Sequence, residues 1–180
     1  MKGNTTLPWL TLGLIVLIPL QLWYNAATVT DLKWLLYPTS YLVSIILGST
    51  PVFSADNGYI LQEMNIILGQ TCSGFTFLLL FVALIYFRFQ NFYSKILHKL
   101  SFLFIVLIVA YPTTLLMNTS RILIGVLGQQ IADAFLQPQP HRVLHELLGL
   151  FCYMAALVFI YKIAYNYHIK TLPHEKIVSS

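Results

Sequence analysis

The sequence predicts an all-α fold, a polytopic transmembrane helical bundle of about five spans with one re-entrant or interfacial helix. Three observations carry that prediction. Hydrophobic residues make up 58% of the 180 positions and charged residues only 9%, against roughly 25% charged in an average soluble domain. So few charges cannot cover the surface of a water-soluble fold of this size. The apolar residues fall in long runs, which makes lipid the natural solvent. The ten Lys and Arg residues stand at the ends of those runs. There they read as topology signals, not as the nucleic-acid footprint that a formal net charge of +4 would otherwise suggest. The length fits one domain, residues 1–180.

Crossing roughly 30 Å of hydrocarbon takes about 20 helical residues. Leu7 to Tyr24 is the first such run, with Pro19 as its expected kink. Lys2 is only a minimal positive region and no clean cleavage site follows, so this segment is expected to be retained. Trp34 to Ser49 is a short second span. Phe75 to Phe87 is the third, long enough if Cys72 and Ser73 open the helix. Leu100 to Met117 is the fourth, with Pro112 near its far end, and Leu147 to Tyr165 is the fifth. Between the second and third runs, Thr50 to Thr71 carries an Asp56-Asn57-Gly58 turn, which predicts a short hairpin or an interfacial helix. Ile122 to Phe135 is too short to span and is interrupted by Gln129, Gln130 and Asp133, which predicts the re-entrant or interfacial helix.

Orientation follows from the positive residues near span ends. A cytoplasmic C-terminus collects Lys33, Arg88, Lys95, Lys99, Lys162, Lys170 and Lys176 inside and leaves Lys2, Arg121 and Arg142 outside. Cys72, Arg121 and the His141/His145 pair then share the outer face. At the helical rise, Cys72 lies about 24 Å from Arg88, His145 about 25 Å from Lys162, and Arg121 about 33 Å from Lys99. Three chemically capable residues thus reach a similar level from three helices.

Cys72 stands in Gln70-Thr71-Cys72-Ser73-Gly74-Phe75. A thiol at a helix N-terminus is favoured as thiolate by the dipole and the free N–H groups, and Gly74 permits close approach of another backbone. The plainer reading is a small apolar residue at a helix start. Arg121, in Asn118-Thr119-Ser120-Arg121, is either a snorkelling anchor or an oxyanion stabiliser. Asn118 shares its helical face. His141 and His145 are one turn apart in a segment that ends at Gly149. They read as interfacial histidines, as an acid/base, or as half of a metal site that lacks a third ligand. No metal or other cofactor is expected. Cys152 lies about 10 Å deeper than His145 along the helix, away from water and charge, and is expected to be inert and unbridged.

The order of these motifs resembles the exosortase/archaeosortase family of membrane cysteine transpeptidases. Cys72-Ser73-Gly74 heads one apolar helix, Asn118 to Arg121 ends the next, and His145 to Gly149 opens a later one. The resemblance runs from about Glu63 to Tyr161, and the shortness of the chain resembles the short exosortase branches, the K type among them. It implies a catalytic core over about 63–161, with Cys72 as nucleophile, Arg121 as oxyanion stabiliser and His145 as acid/base. Ser73, Gly74, Asn118, His141 and Gly149 would support them. It further implies a multi-pass protein of the plasma (bacterial inner) membrane whose site faces the outside or periplasm. Its partner would be the C-terminal sorting-signal helix of exported proteins, with no nucleic acid involved. Two readings from other classes stand beside it: a small non-enzymatic membrane subunit, scaffolding or haem-binding, and a cysteine-dependent membrane acyltransferase.

Overall fold

The computed structural model describes residues 7–64, 66–89, 96–135 and 141–171. In chain order it contains α1 (Leu7–Ala26), α2 (Lys33–Leu47), β1 (Pro51–Ser54), β2 (Gly58–Leu61), β3 (Ile66–Leu68), α3 (Phe75–Phe89), α4 (Ile96–Phe135) and α5 (His141–Thr171). Short 3-10 turns at Gln62–Met64 and Gln70–Cys72 flank β3.

Long uninterrupted apolar runs make the helices; a polar turn precedes α2, which has no side-chain cap at its start, and a left-handed glycine ends it. Before it, the Thr28 backbone N–H and hydroxyl donate to the Asp31 carboxylate at 2.9 and 2.8 Å. These bonds, the backbone one first, hold the Asp31 carboxyl below its ordinary range. After it, Gly48 adopts the left-handed conformation and its N–H bonds to Ser44 O, the usual helix stop. Leu35, Leu36, Thr39, Ser40, Val43 and Ser44 form the buried stripe of α2. The Ser40 and Ser44 hydroxyls are satisfied within the helix, on the carbonyls of Tyr37 and Tyr41 at 2.8 Å.

The fold is mainly helical but not all-α. The segment expected as a hairpin or interfacial helix is a three-stranded antiparallel sheet in the order β1-β2-β3. Val52 faces Ile60 across the first pair and Ile60 faces Ile67 across the second. Gly58 closes the turn with a φ of +93°. A Cβ there would collide with the backbone carbonyl of Leu68, so both the turn and the β2–β3 pairing require glycine. Tyr59, Leu61 and Leu68 turn inward, whereas Val52 and Ile67 face outward. The Glu63 carboxylate accepts the Thr50 backbone N–H at 3.4 Å and the Thr50 hydroxyl at 3.2 Å. Its own backbone N–H first, then those from Thr50, hold that carboxyl below its ordinary range.

Two further expectations change. Leu100 to Met117 and the separate short helix over Ile122 to Phe135 are one continuous α4 of 40 residues. Gln129, Gln130 and Asp133 change the polarity of that stretch, but none of them breaks a helix. The hydroxyls of Thr113 and Ser120 fold back onto the carbonyls of Val109 and Leu116, so these two are satisfied within the helix. The second departure is α2, which has only 15 residues. Its Leu35, Leu36 and Val43 share one core with Tyr59, Leu61, Leu68, Phe75 and Ile122, and the Lys33 ammonium lies 4.0 Å from the Phe53 ring centroid. It packs beside the sheet, so Lys33 stands at the sheet end of the molecule and not with Arg88.

A second core, built on Phe77, Phe81, Ile85, Val106, Ala110 and Leu157, joins α3, α4 and α5. Among the described residues, two helical stretches, Gln70–Phe89 and Ile96–Gly128, are long and apolar enough to cross a membrane, and Gly149–Ile163 is a shorter apolar helix. Five such spans are not found. Large apolar side chains are nonetheless freely exposed on the helices, Ile108 at 71% and Phe151 at 74%. Contacts at the two ends set the level of each helix. Tyr24, Cys72, Asn118 and Gly149 meet at the sheet end, and the Arg88 guanidinium donates to the Tyr161 hydroxyl at 3.1 Å at the other.

Two outcomes test this description. Gly58→Ala forces both a strained backbone and a clash with Leu68, and is expected to cost about 1–3 kcal/mol, read as a lowered melting temperature in detergent. Because the Glu63 carboxyl is depressed, its contribution is present above the ordinary carboxylate value of about 4.3. That contribution is lost as pH falls through the depressed value. Between about 4.3 and that depressed value, the melting temperature should fall less steeply with pH for Glu63→Gln than for wild type.

Candidate active site

The segment from Gly69 to Gly74 is neither strand nor α-helix. After β3, Gly69 is extended and the chain tightens into a 3-10 turn. The Cys72 N–H bonds to Gly69 O at 2.9 Å and the Ser73 N–H to Gln70 O at 3.0 Å. Gly74 then takes a φ of +76°, and the Leu78 N–H bonds back to its carbonyl at 3.0 Å, starting α3. The fully buried Ser73 accepts the Phe75 N–H on its hydroxyl at 3.3 Å. Cys72 and Ser73 therefore do not open the helix, as the sequence suggested. They form a separate turn ahead of it, because a left-handed Gly74 interrupts the helical path.

Three consecutive carbonyls of this irregular turn, the first of them already accepting the Ser73 N–H, are met by side chains from two other helices. The Tyr24 hydroxyl of α1 donates to Gln70 O at 2.9 Å, and the Gln70 side chain returns a bond to Tyr24 O at 2.6 Å. Arg121 Nη2 donates to Thr71 O at 3.1 Å. Asn118 Nδ2 donates to Cys72 O at 2.5 Å. The spacing of Asn118 and Arg121 puts both on one face of α4, so one helix holds the carbonyls on either side of the Cys72 backbone N–H.

Helix α5 completes the arrangement. The Tyr153 hydroxyl donates to Asn118 Oδ1 at 2.7 Å, and its ring lies under the Arg121 guanidinium with Cζ 5.1 Å from the centroid. A Cβ at Gly149 would stand 3.0 Å from Arg121 Cδ, so the glycine makes room for that side chain. Just before α3, a Cβ at Gly74 would stand 3.1 Å from both Asn118 Cγ and Thr114 Cγ2, so the turn and α4 approach as closely as glycine allows. Arg121 Nε is buried and has no partner among the described residues. Cys72 and Cys152 are both free, half-buried thiols.

The structure thus brings together Cys72, Ser73, Gly74, Asn118, Arg121 and Gly149. His145 lies in α5 one helical turn before Gly149, about 6 Å along the axis, and His141 lies at the start of the same helix. The side chains of both histidines fall outside the described residues. Tyr24 and Tyr153 escaped the sequence reading. For Tyr153 a signal existed: it follows Gly149 by four residues, one turn on, and carries a polar tip in an apolar helix where that tip requires a partner.

Asn118→Leu removes the donor to Cys72 O and the acceptor for Tyr153. Leaving those buried groups unsatisfied is expected to cost about 1–3 kcal/mol each, measured as reduced thermal stability of the purified protein. No protein-family model, no curated protein and no solved structure matches the chain.

Proposed function

We propose that this chain is an exosortase-like membrane cysteine transpeptidase that cleaves the C-terminal sorting signal of exported proteins at the outer membrane–water interface. The observation that carries the reading is the capture of the Thr71 and Cys72 carbonyls by Arg121 and Asn118. Motifs far apart in sequence meet around one free thiol, and the Gly149 of the third motif packs on the same arginine.

In this reading α1, α3, α4 and α5 pass through the bilayer, while α2 and the sheet cover the outer end. Both termini are then cytoplasmic, and Arg88, Lys99 and Lys162 gather at the inner end as the distribution of positive charge requires. The Cys72 thiolate attacks a backbone carbonyl of the sorting signal. Negative charge develops on that oxygen, and Arg121, which has donors beyond the one given to Thr71, stabilises it. The C–N bond breaks as His145 protonates the departing amine, leaving a thioester on Cys72. An acceptor amine then adds, His145 takes its proton, and the C–S bond breaks; water in place of the amine gives hydrolysis. A substrate helix confined to the same bilayer is already aligned in two dimensions, which supplies much of the orientation the reaction needs.

Co-expression with a substrate bearing a short motif, an apolar helix and a basic tail tests the proposal. Cys72→Ala is expected to abolish processing, and Cys152→Ala to leave it intact. A fully active Cys72→Ala chain overturns the reading. The mass of the adduct trapped on Cys72 separates a peptidyl thioester from the lipid adduct of an acyltransferase.

A further inference from the structure

We infer that Tyr153 is the positioning residue of this site, orienting Asn118 through its hydroxyl and Arg121 through its ring. The inference rests on the transpeptidase reading. It starts from a property of asparagine: the side-chain amide presents a donor on one branch and an acceptor on the other. The Cys72 carbonyl can be held only by the donor branch. If the amide turned over, two oxygens would face each other beside the thiol.

Asn118 is fully buried, so water does not decide its orientation. The Tyr153 hydroxyl, 2.7 Å from Oδ1, satisfies the acceptor branch and leaves Nδ2 for Cys72 O. The ring of the same residue stands 5.1 Å from the Arg121 guanidinium carbon and 4.8 Å from the Phe77 ring of α3. One side chain on α5 therefore holds both α4 groups that grip the nucleophile turn, and rests on the helix that follows that turn. Tyr153 also lies eight residues after His145, about 12 Å along α5. It keeps the helix that carries the acid/base in register with the turn that carries the thiol. Tyr153 is bonded to Asn118 and lies against Arg121, the two residues that hold the carbonyls beside the thiol, so its loss should slow turnover and leave substrate affinity alone.

The test is a double-mutant cycle on the full-length protein in detergent, with a synthetic peptide carrying motif, apolar helix and basic tail. Rates are normalised to folded protein. Tyr153→Phe keeps the ring on Arg121 and Phe77 and removes only the hydroxyl. It is expected to lower kcat about tenfold, with KM changed less than about twofold, and the same substitution made in Asn118→Leu is expected to add no further loss. A purely structural tyrosine would give losses that multiply, and that result overturns the inference. So does a Tyr153→Phe enzyme with wild-type kcat. If Tyr153→Phe alone does not fold, the double variant, in which both polar partners are replaced by apolar groups, is compared with Asn118→Leu alone. A further loss in that comparison is equally fatal. Cys72→Ala run alongside separates the two levels. An active Cys72→Ala chain brings down the transpeptidase reading and this inference with it, whereas an inactive one beside an unimpaired Tyr153→Phe brings down the inference only.

Discussion

Three consecutive backbone carbonyls, of Gln70, Thr71 and Cys72, are each constrained to accept a hydrogen bond from a side chain elsewhere in the chain, Gln70 O in addition to the local Ser73 N–H. The constraint arises because the chain departs from regular structure between β3 and α3. In an apolar setting, an unpaired backbone oxygen costs several kcal/mol, so irregular backbone survives only where protein groups satisfy it. Tyr24, Arg121 and Asn118 supply the three donors. The position of α1 relative to α3, the rotation of α4 about its axis and the close approach of α5 all follow from keeping those bonds.

The same bonds explain why glycine occurs where it does. Asn118 can reach Cys72 O only if α4 comes against the turn, and Gly74 leaves that path open. Arg121 can reach Thr71 O only if its stem passes α5, and Gly149 leaves that path open. Both glycines matter for what is absent from them, although only Gly74 also needs its positive φ. What holds the turn and what would assist chemistry are thus the same side chains. In the proposed reaction, an arginine anchored by one Nη group to Thr71 and stacked on Tyr153 would lose little freedom when an oxyanion develops, which is the preorganisation electrostatic catalysis depends on.

The division of the molecule into two ends has a physical origin too. At one end, α2 and the sheet enclose an apolar core beside which the Ser40 and Ser44 hydroxyls are satisfied within α2. Along the middle, α3, α4 and α5 share an aromatic and aliphatic core, and their outward faces remain apolar. At the far end, Arg88 reaches the Tyr161 hydroxyl and lies near the Tyr165 ring. Polar chemistry is concentrated at the two ends, as expected where the middle faces hydrocarbon.

Composition and run length were enough to predict a mainly helical chain, because that property is a sum over many residues, whereas the expected five spans reduce to two sufficiently long apolar stretches among the described residues. The spacing of Asn118 and Arg121, and of His145 and Gly149, was equally legible, since helical periodicity alone puts such pairs on one face. Boundaries were not. Polar residues at Gln129, Gln130 and Asp133 mark a change of surroundings along α4 without ending it, and the 15-residue α2 resembles a span until its partner, the sheet, is known. The pairing of β3 with β2, the 3-10 turn at Cys72 and the role of Tyr153 were settled only by tertiary contact. The last two depend on donors or acceptors lying tens of residues away, and no local pattern records which distant group will satisfy them.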